Sequence, residues 1–151
     1  MIEIEDLQKI NMFKPLDDSR LERMRDLASL ESRRKGSFFF HGGSTADKIY
    51  ALLSGRIGLA VAKHPEHHTW LVEMGPGNSF GVSAAIFVPD GTYMYCAKAL
   101  TDVKALSWRG EDLRTLFEED PALGYRFMSE MARMVKERLT VVNIQYVDIY
   151  G

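Results

Sequence analysis

The sequence predicts a mainly β protein, an antiparallel sandwich or barrel with helices at both ends. Three observations support this fold class. An amphipathic stretch precedes a long middle section in which β-branched and aromatic runs alternate with turn residues, and the final section has apolar residues at helical spacing. The length of 151 residues, with 46% hydrophobic and 26% charged side chains, suits a single globular domain.

We expect this single domain, 1–151, to comprise an N-terminal helical segment (1–35), a β-roll (36–110) and C-terminal helices (111–151). The first helix lies in "PLDDSRLERMRDLASLES", where Ser19 and Glu22 fit the S-x-x-E capping box. Its apolar residues at helical spacing are Leu21, Met24, Leu27, Ala28 and Leu30.

The strands are expected between Gly36 and Ser107, in runs that Gly-, Pro- or Asp-containing turns interrupt. These runs are "SFFFHGG", "KIYALLSGRIGLAVA", "TWLVEMGPGNSFG" and "TYMYCAKALTDVKALSW". Strands of about 4–8 residues separated in this way are typical of a small antiparallel sandwich or barrel.

A long helix is expected over residues 121–150, which would extend roughly 45 Å at about 1.5 Å per residue. Its apolar stripe consists of Phe127, Met131, Val135, Leu139, Val142, Tyr146 and Ile149. A helix of this length exceeds what a small barrel covers, and beyond Leu139 the stripe narrows to a heptad seam. The pattern favours a homodimer in which two helices pair through Val135, Leu139, Val142, Tyr146 and Ile149. The alternative is a helix that folds back onto the barrel.

Composition indicates the compartment. The net charge of -2 gives no overall attraction for nucleic acid, and Cys96 is the single cysteine, which agrees with a reducing compartment. No apolar run approaches the roughly 20 residues that span a bilayer, and the acidic start "MIEIEDLQKI" is unlike a secretory signal. We therefore expect a soluble cytoplasmic protein without membrane contact.

The sequence gives no sign of catalysis. No Ser/His/Asp set, phosphate-binding glycine loop or catalytic carboxylate pair occurs at usable spacing. An iron–sulfur cluster of the usual type needs about four cysteines, and the lone Cys96 is typical of a small buried apolar residue. We expect neither an enzyme nor a cofactor.

The order of these motifs resembles the cyclic-nucleotide-binding β-roll, and more closely the sensor half of bacterial Crp/Fnr-type transcription regulators. The resemblance rests on "GSFFFHGG", "IYALLSGRIGLAV", the PG-x-x-FG turn at Pro76, Gly77, Phe80 and Gly81, and "AKALTDVKALSW". It continues through "EEDPALGYRFMSEMARMVKERL" to "NIQYVDIYG". It implies an antiparallel β-roll or jelly roll, cupin-like in architecture, with a C-terminal dimerisation helix.

Two positions depart from the family pattern. Members that bind cyclic AMP or GMP have a Glu directly after the FG turn for the ribose and an Arg before the next strand for the phosphate. Here these positions hold Val82 and Tyr93, with Met94 beside the latter, and no Arg lies between Arg56 and Arg109. The sequence therefore predicts that nucleotide recognition is lost.

The other residues at the position of the family's ligand site are mainly apolar and aromatic. The amides after the FG turn keep some capacity to hold an anion, and Lys98 is a candidate charge, although strand alternation equally allows it to point outward. The candidate ligand-binding residues are Gly81, Val82, Ser83, Ala84, Tyr93, Met94 and Cys96. The sequence predicts a different small-molecule effector, with a pocket filled by its own side chains as the alternative.

A metal site is a competing hypothesis. His64, His67, His68 and Glu73 follow Gly58 in an order that resembles the metal motif of enzymatic cupins. The first two histidines are one residue further apart than in that motif, and Pro65 and Glu66 between them are typical of a hairpin tip. The pattern favours a solvated turn over a metal site, so we expect no bound metal.

The resemblance implies an effector-sensing domain. An effector in the roll would reposition the long helix, and the helix pair would transmit this change to a DNA-binding domain absent from this chain. The ending "NIQYVDIYG" resembles the hinge that precedes such a domain. We therefore expect the sensor piece of a longer regulator rather than a freestanding relative that acts by protein contact.

Overall fold

The described part of the chain forms two β-sheets and four α-helices. The computed structural model describes residues 1–64 and 67–150, with the side chains of 62–71, 142, 145–147 and 149–150 left undescribed. The helices are α1 (Ile4–Gln8), α2 (Asp18–Leu27), α3 (Gly110–Glu119) and α4 (Pro121–Tyr150). The strands are β1 (Ser29–Arg33), β2 (Phe38–Phe40), β3 (Lys48–Ser54), β4 (Ile57–His64), β5 (His67–Met74), β6 (Ser79–Phe80), β7 (Cys96–Ala99) and β8 (Val103–Arg109).

The strands form two four-stranded sheets. One sheet has the order β1-β8-β3-β6 and the other β2-β7-β4-β5, and all of these neighbours pair antiparallel. This arrangement confirms the predicted mainly β, jelly-roll-like fold with a long C-terminal helix.

The first sheet begins earlier in the chain than expected. The segment 1–35, expected to be helical, contains β1, which pairs with β8 from Ser29 opposite Ser107 to Arg33 opposite Val103. The helix therefore ends at Leu27, and Leu30 lies exposed on the strand. The backbone hydrogen bonds offered by β8 override the helical spacing of Leu30, because an edge strand is stabilised by its partner more than by local propensity.

The cap of α2 also differs from the expectation. Asp17 is the N-cap, and its carboxylate accepts a hydrogen bond from the Arg20 amide at 2.9 Å, so the Ser19–Glu22 capping box does not form. Asp and Ser cap helices about equally well, and starting at Asp18 includes Ser19 in the first turn.

The helices and the first sheet enclose one hydrophobic core. Trp108 of β8 lies at its centre, packed edge-on against Phe13 with ring centroids 5.2 Å apart. Its indole N–H donates to the carbonyl of Met24 at 2.7 Å, which joins α2 to the sheet. Phe127 of α4 packs against Phe13 and Phe117 in the same cluster. The N-terminal half of α4 is thus anchored to the body of the domain.

A second, aromatic core fills the roll between the sheets. Phe80 stacks on Tyr50 at 5.2 Å and meets Phe39 edge-on at 5.0 Å. These side chains lie directly behind the turn that follows β6.

Among the helices of the described chain, none combines the length and apolar character that crossing a bilayer requires.

Candidate functional site

A cavity of about 220 Å³ lies between the roll and the middle of α4. Strands, the turn after β6 and the helix all contribute to its lining, which is mainly apolar. Among the described residues, those that line it are Phe40, Leu59, Val72, Gly81, Val82, Ser83, Ile86, Tyr93, Met94, Tyr95, Val135, Arg138 and Leu139. The site therefore lies between two predicted features. One is the ligand position that the family resemblance implies, and the other is the helix expected to dimerise.

Five of the seven predicted ligand-binding residues line this cavity, namely Gly81, Val82, Ser83, Tyr93 and Met94. The other two do not belong to its lining.

Ala84 is buried, and its carbonyl oxygen lies 2.3 Å from where a Cβ on Gly110 would stand. Cys96 is buried too, and its Sγ accepts a hydrogen bond from the Gly42 amide at 3.3 Å. Both side chains are packing residues, as small apolar groups at the base of a turn and in a strand often are.

The turn after β6 provides less of an anion cradle than expected. Gly81 has φ +75°, and a Cβ there would lie 3.0 Å from the Lys48 carbonyl oxygen, so the turn requires glycine. The chain then forms one 3-10 turn over Val82–Ala85, within which the Ala84 amide donates to the Gly81 carbonyl at 3.2 Å. This amide is already used inside the turn.

Tyr93 is predicted from the sequence to stand where the resembling family has its phosphate-binding arginine, and in the structure its hydroxyl is used in holding the fold. The hydroxyl donates to the Lys48 carbonyl at 2.6 Å and accepts from the Lys48 amide at 3.0 Å. The ring stacks on Phe40 with centroids 3.7 Å apart. Burial raises the pKa of Tyr93 to about 12. The cavity thus receives an aromatic ring face at this position, not a charge.

Among the described lining residues, the charged one is Arg138 of α4, which the sequence analysis missed. Its Nη2 donates to the Ser79 carbonyl and lies 3.7 Å from the Met74 sulfur. Burial lowers the pKa of Arg138 to about 10, because the apolar surroundings disfavour the cation. An available signal was its place in the helix, three residues after Val135 and one before Leu139, which puts it beside the apolar stripe.

Lys98, the other candidate charge, does not line the cavity. Its ammonium lies 5.5 Å from the centre of the Phe38 ring, in a cation–π contact between neighbouring strands.

The proposed metal ligands are only partly visible. Across the β4–β5 hairpin the backbone of His64 pairs with that of His67, as expected for a hairpin with its tip at 65–66. The side chains of His64, His67 and His68 lie outside the described residues. Glu73 is described: its carboxylate pairs with Arg56 at 3.2 Å on the exposed face of the sheet. The preference for a solvated turn over a metal site stays a prediction from the sequence, because the three imidazoles lie outside the described residues.

The side chains of the predicted dimer residues are also only partly described. Val135 and Leu139 are 42% and 58% exposed, although both contribute to the cavity wall. The side chains of Val142, Tyr146 and Ile149 lie outside the described residues.

The far end of α4 also exposes apolar side chains away from the predicted seam. Val141 and Ile144 are 45% and 57% exposed. They lie roughly 120° and 180° around the helix from the middle of the seam, at about 100° per residue. Ile144 therefore marks the face opposite the predicted dimer contact.

Comparison with known proteins identifies the fold. The model of the cyclic nucleotide-binding domain family matches residues 30–120. A Geobacter metallireducens protein classed as cyclic nucleotide-binding, whose crystal structure is known, superposes with a TM-score of 0.80 at 31% identity, covering 92% of this chain and 99% of that one.

Two longer mycobacterial proteins are also similar. An NTE family protein of Mycobacterium tuberculosis is 30% identical over 133 residues, which is 87% of this chain but 21% of that protein. A CRP-like cAMP-activated global transcriptional regulator of the same species is 22% identical over 96% of this chain and 64% of its own length. The chain thus spans about a fifth of the first relative and under two thirds of the second.

Proposed function

Because this chain belongs to the family of cyclic nucleotide-binding domains, we propose that it is an effector-sensing domain of a Crp/Fnr-type regulator whose effector is not a cyclic nucleotide. The observation that carries this proposal is the lining of the cavity. It has Val82 and Tyr93 where the resembling family places its Glu and Arg, and its guanidinium comes from α4 instead.

The change at Tyr93 weighs most against a cyclic nucleotide. The family's Arg pairs with the phosphate through two charge-assisted hydrogen bonds, each contributing roughly 1.5–3 kcal/mol. Since about 1.4 kcal/mol corresponds to tenfold in affinity, losing the pair weakens binding by roughly a hundredfold or more. The Tyr93 hydroxyl cannot substitute without giving up its bonds to Lys48.

The size of the cavity favours a small effector over the alternative of a pocket filled by its own side chains. Its volume of about 220 Å³ is open space among apolar groups. Ordinary ligand pockets measure roughly 300–1,000 Å³, so the effector would be smaller than most.

We further propose that the domain pairs with a second copy through α4 and signals through this helix. The support is that Val135, Arg138 and Leu139 line the cavity, while Val135 and Leu139 also begin the predicted seam. An effector that contacts these side chains would favour one helix position over another and so shift a population of states. DNA would be bound by a separate domain, and we assign no catalysis to this one.

A calorimetric titration with cyclic AMP and cyclic GMP tests the proposal. We expect no binding heat from either nucleotide up to millimolar concentration, in a sample shown to be folded by circular dichroism. Micromolar binding would mean that another group replaces the lost clamp, and the proposal would then be wrong.

A further inference from the structure

The Arg138 guanidinium is an unusual group for the wall of an apolar cavity. Its hydrogen-bonding partners among the described residues are the Ser79 carbonyl and the Met74 sulfur, and both contacts are made by Nη2. Both partners are neutral. No carboxylate in the described part of the chain lies within 4.0 Å of the guanidinium.

The described residues therefore do not supply this cation with the counter-ion that usually accompanies a buried charge. Charged groups taken out of water are normally paired or bound to an ion, because desolvation disfavours them. The lowered pKa of Arg138, about 10, has this desolvation as its largest cause. The side chain still carries its charge at neutral pH, and none of the described residues gives it a carboxylate partner.

The geometry of a guanidinium indicates which anion fits. Its five N–H donors form a planar fork that binds a carboxylate through two parallel hydrogen bonds. Nη2 carries two N–H groups, and whichever of them donates to Ser79, the other lies parallel to an N–H of Nε or of Nη1 and makes at most the weak contact to the Met74 sulfur. A single carboxylate matches this remaining capacity.

The rest of the wall determines the body of the ligand. Phe40, Tyr93 and Tyr95 present aromatic groups, and Leu59 and Val72 present aliphatic ones. Aromatic ligands pack well against such walls through stacked or edge-on contacts. A cavity of about 150 Å³ lined by apolar side chains holds benzene, so about 220 Å³ has room for one ring and a short acidic chain.

We propose that the effector of this domain is a small aromatic carboxylic acid, whose carboxylate pairs with Arg138 while its ring lies against Phe40 and Tyr95. The inference rests on the proposed function, since it takes this cavity as the effector site. It also gives α4 a direct contact with the charged end of the effector.

Matched acids and amides provide the test. Benzoate, phenylacetate and 3-phenylpropionate are each titrated into the full 151-residue chain at neutral pH, alongside the corresponding primary amides. We expect at least one acid to bind at least tenfold more tightly than its amide, because the amide keeps the ring and loses the charge. Acetate, which has the charge but no ring, is expected to bind at least tenfold more weakly than that acid.

Two variants test whether Arg138 is the residue that binds the carboxylate. Arg138→Met should weaken acid binding at least tenfold and leave amide binding unchanged. Arg133→Met is the matched control on the same helix, since Arg133 is exposed and pairs with Glu130, and we expect it to bind the acid like the wild type. Circular dichroism and thermal unfolding of Arg138→Met check that the variant is folded.

Three results would overturn the inference: equal binding of an acid and its amide, no binding of any probe, or full acid binding by Arg138→Met. Each differs from failure of the proposed function, which micromolar cyclic nucleotide binding would reveal. Tight amide binding, in particular, would remove the acid class and leave the sensor proposal standing.

Discussion

Tyr93 has a structural role at the wall of the cavity. Its hydroxyl closes two hydrogen bonds with the backbone of Lys48, and its ring stacks on Phe40. The residue therefore links the approach to β7 with the start of β3 while forming part of the cavity wall. A residue in this role contributes to stability more than to ligand affinity.

We predict that Tyr93→Phe lowers the free energy of unfolding by about 1–3 kcal/mol, because it leaves the Lys48 amide and carbonyl without their partner. Tyr125→Phe is the matched control, since Tyr125 is 76% exposed and its change is expected to stay within about 0.5 kcal/mol. Urea denaturation measures both. Equal stability of the two variants would contradict a structural role for Tyr93.

The same residue predicts a pH effect. The pKa of Tyr93 is raised to about 12 from 10.0, so above pH 10 the unfolded chain loses this proton while the folded chain keeps it. Stability must then fall as pH rises from 10 towards 12. The loss should be smaller in Tyr93→Phe than in the wild type. Parallel curves for the two proteins would show that Tyr93 titrates normally.

The composition of the site was only partly predictable residue by residue. Val82 could be assigned to the site because it comes directly after the FG turn. Tyr93 could be assigned by counting back from the strand that contains "AKAL". Arg138 could not, because a charged residue beside an apolar stripe ordinarily points to solvent. Its place beside the stripe is a local signal, but its inward position is decided by how α4 lies against β6, which is a tertiary contact.

At the scale of the elements, Gly110 fixes the junction between β8 and α3. A Cβ at this position would lie 2.3 Å from the Ala84 carbonyl oxygen, and its amide donates to the Asp47 carbonyl at 2.9 Å. The close approach holds α3 against the turn that borders the cavity.

We predict that Gly110→Ala destabilises the protein by about 1–3 kcal/mol through this overlap, although alanine favours a helix by about 1 kcal/mol over glycine. Gly42→Ala is the control, because the nearest atom to its added Cβ lies at 3.5 Å, an ordinary contact. Thermal unfolding compares the two. A Gly110→Ala protein as stable as the wild type would mean that α3 moves away freely.

The long helix was the most predictable element and β1 the least. The repeated apolar spacing from Phe127 onward predicted residues 121–150, and α4 spans Pro121–Tyr150. Strand β1 has only five residues, and its exposed Leu30 fits a helical pattern as well as a strand. Only its pairing with β8 decides between them.

For the whole molecule, the predicted dimer is the property to test first. We expect Val142→Asp to convert a dimer into a monomer, because a charge in a heptad seam opposes pairing. Ile144→Asp places the same charge on the opposite, exposed face of the helix and should leave the dimer intact. Size-exclusion chromatography with light scattering distinguishes these masses. Identical masses for both variants would contradict pairing through this seam.

The order of strands in the two sheets was beyond local reasoning. β1 pairs with β8 and β2 with β7, and these partners are far apart in the chain. Alternation and turn residues identify strands without saying which will be neighbours. The resemblance to a known β-roll predicted the architecture, and the structure shows which strands pair.

The anchoring of α4 at one end makes it a lever. Phe127 is fixed in the core, Arg138 lies about 16 Å further along the helix, and its last turn lies about 35 Å away, at about 1.5 Å per residue. Pivoting a rigid helix at Phe127 would turn a displacement of about 1 Å at the cavity into about 2 Å at the far end. A small effector that shifts α4 at the cavity would therefore shift the C-terminal end of the helix about twice as far.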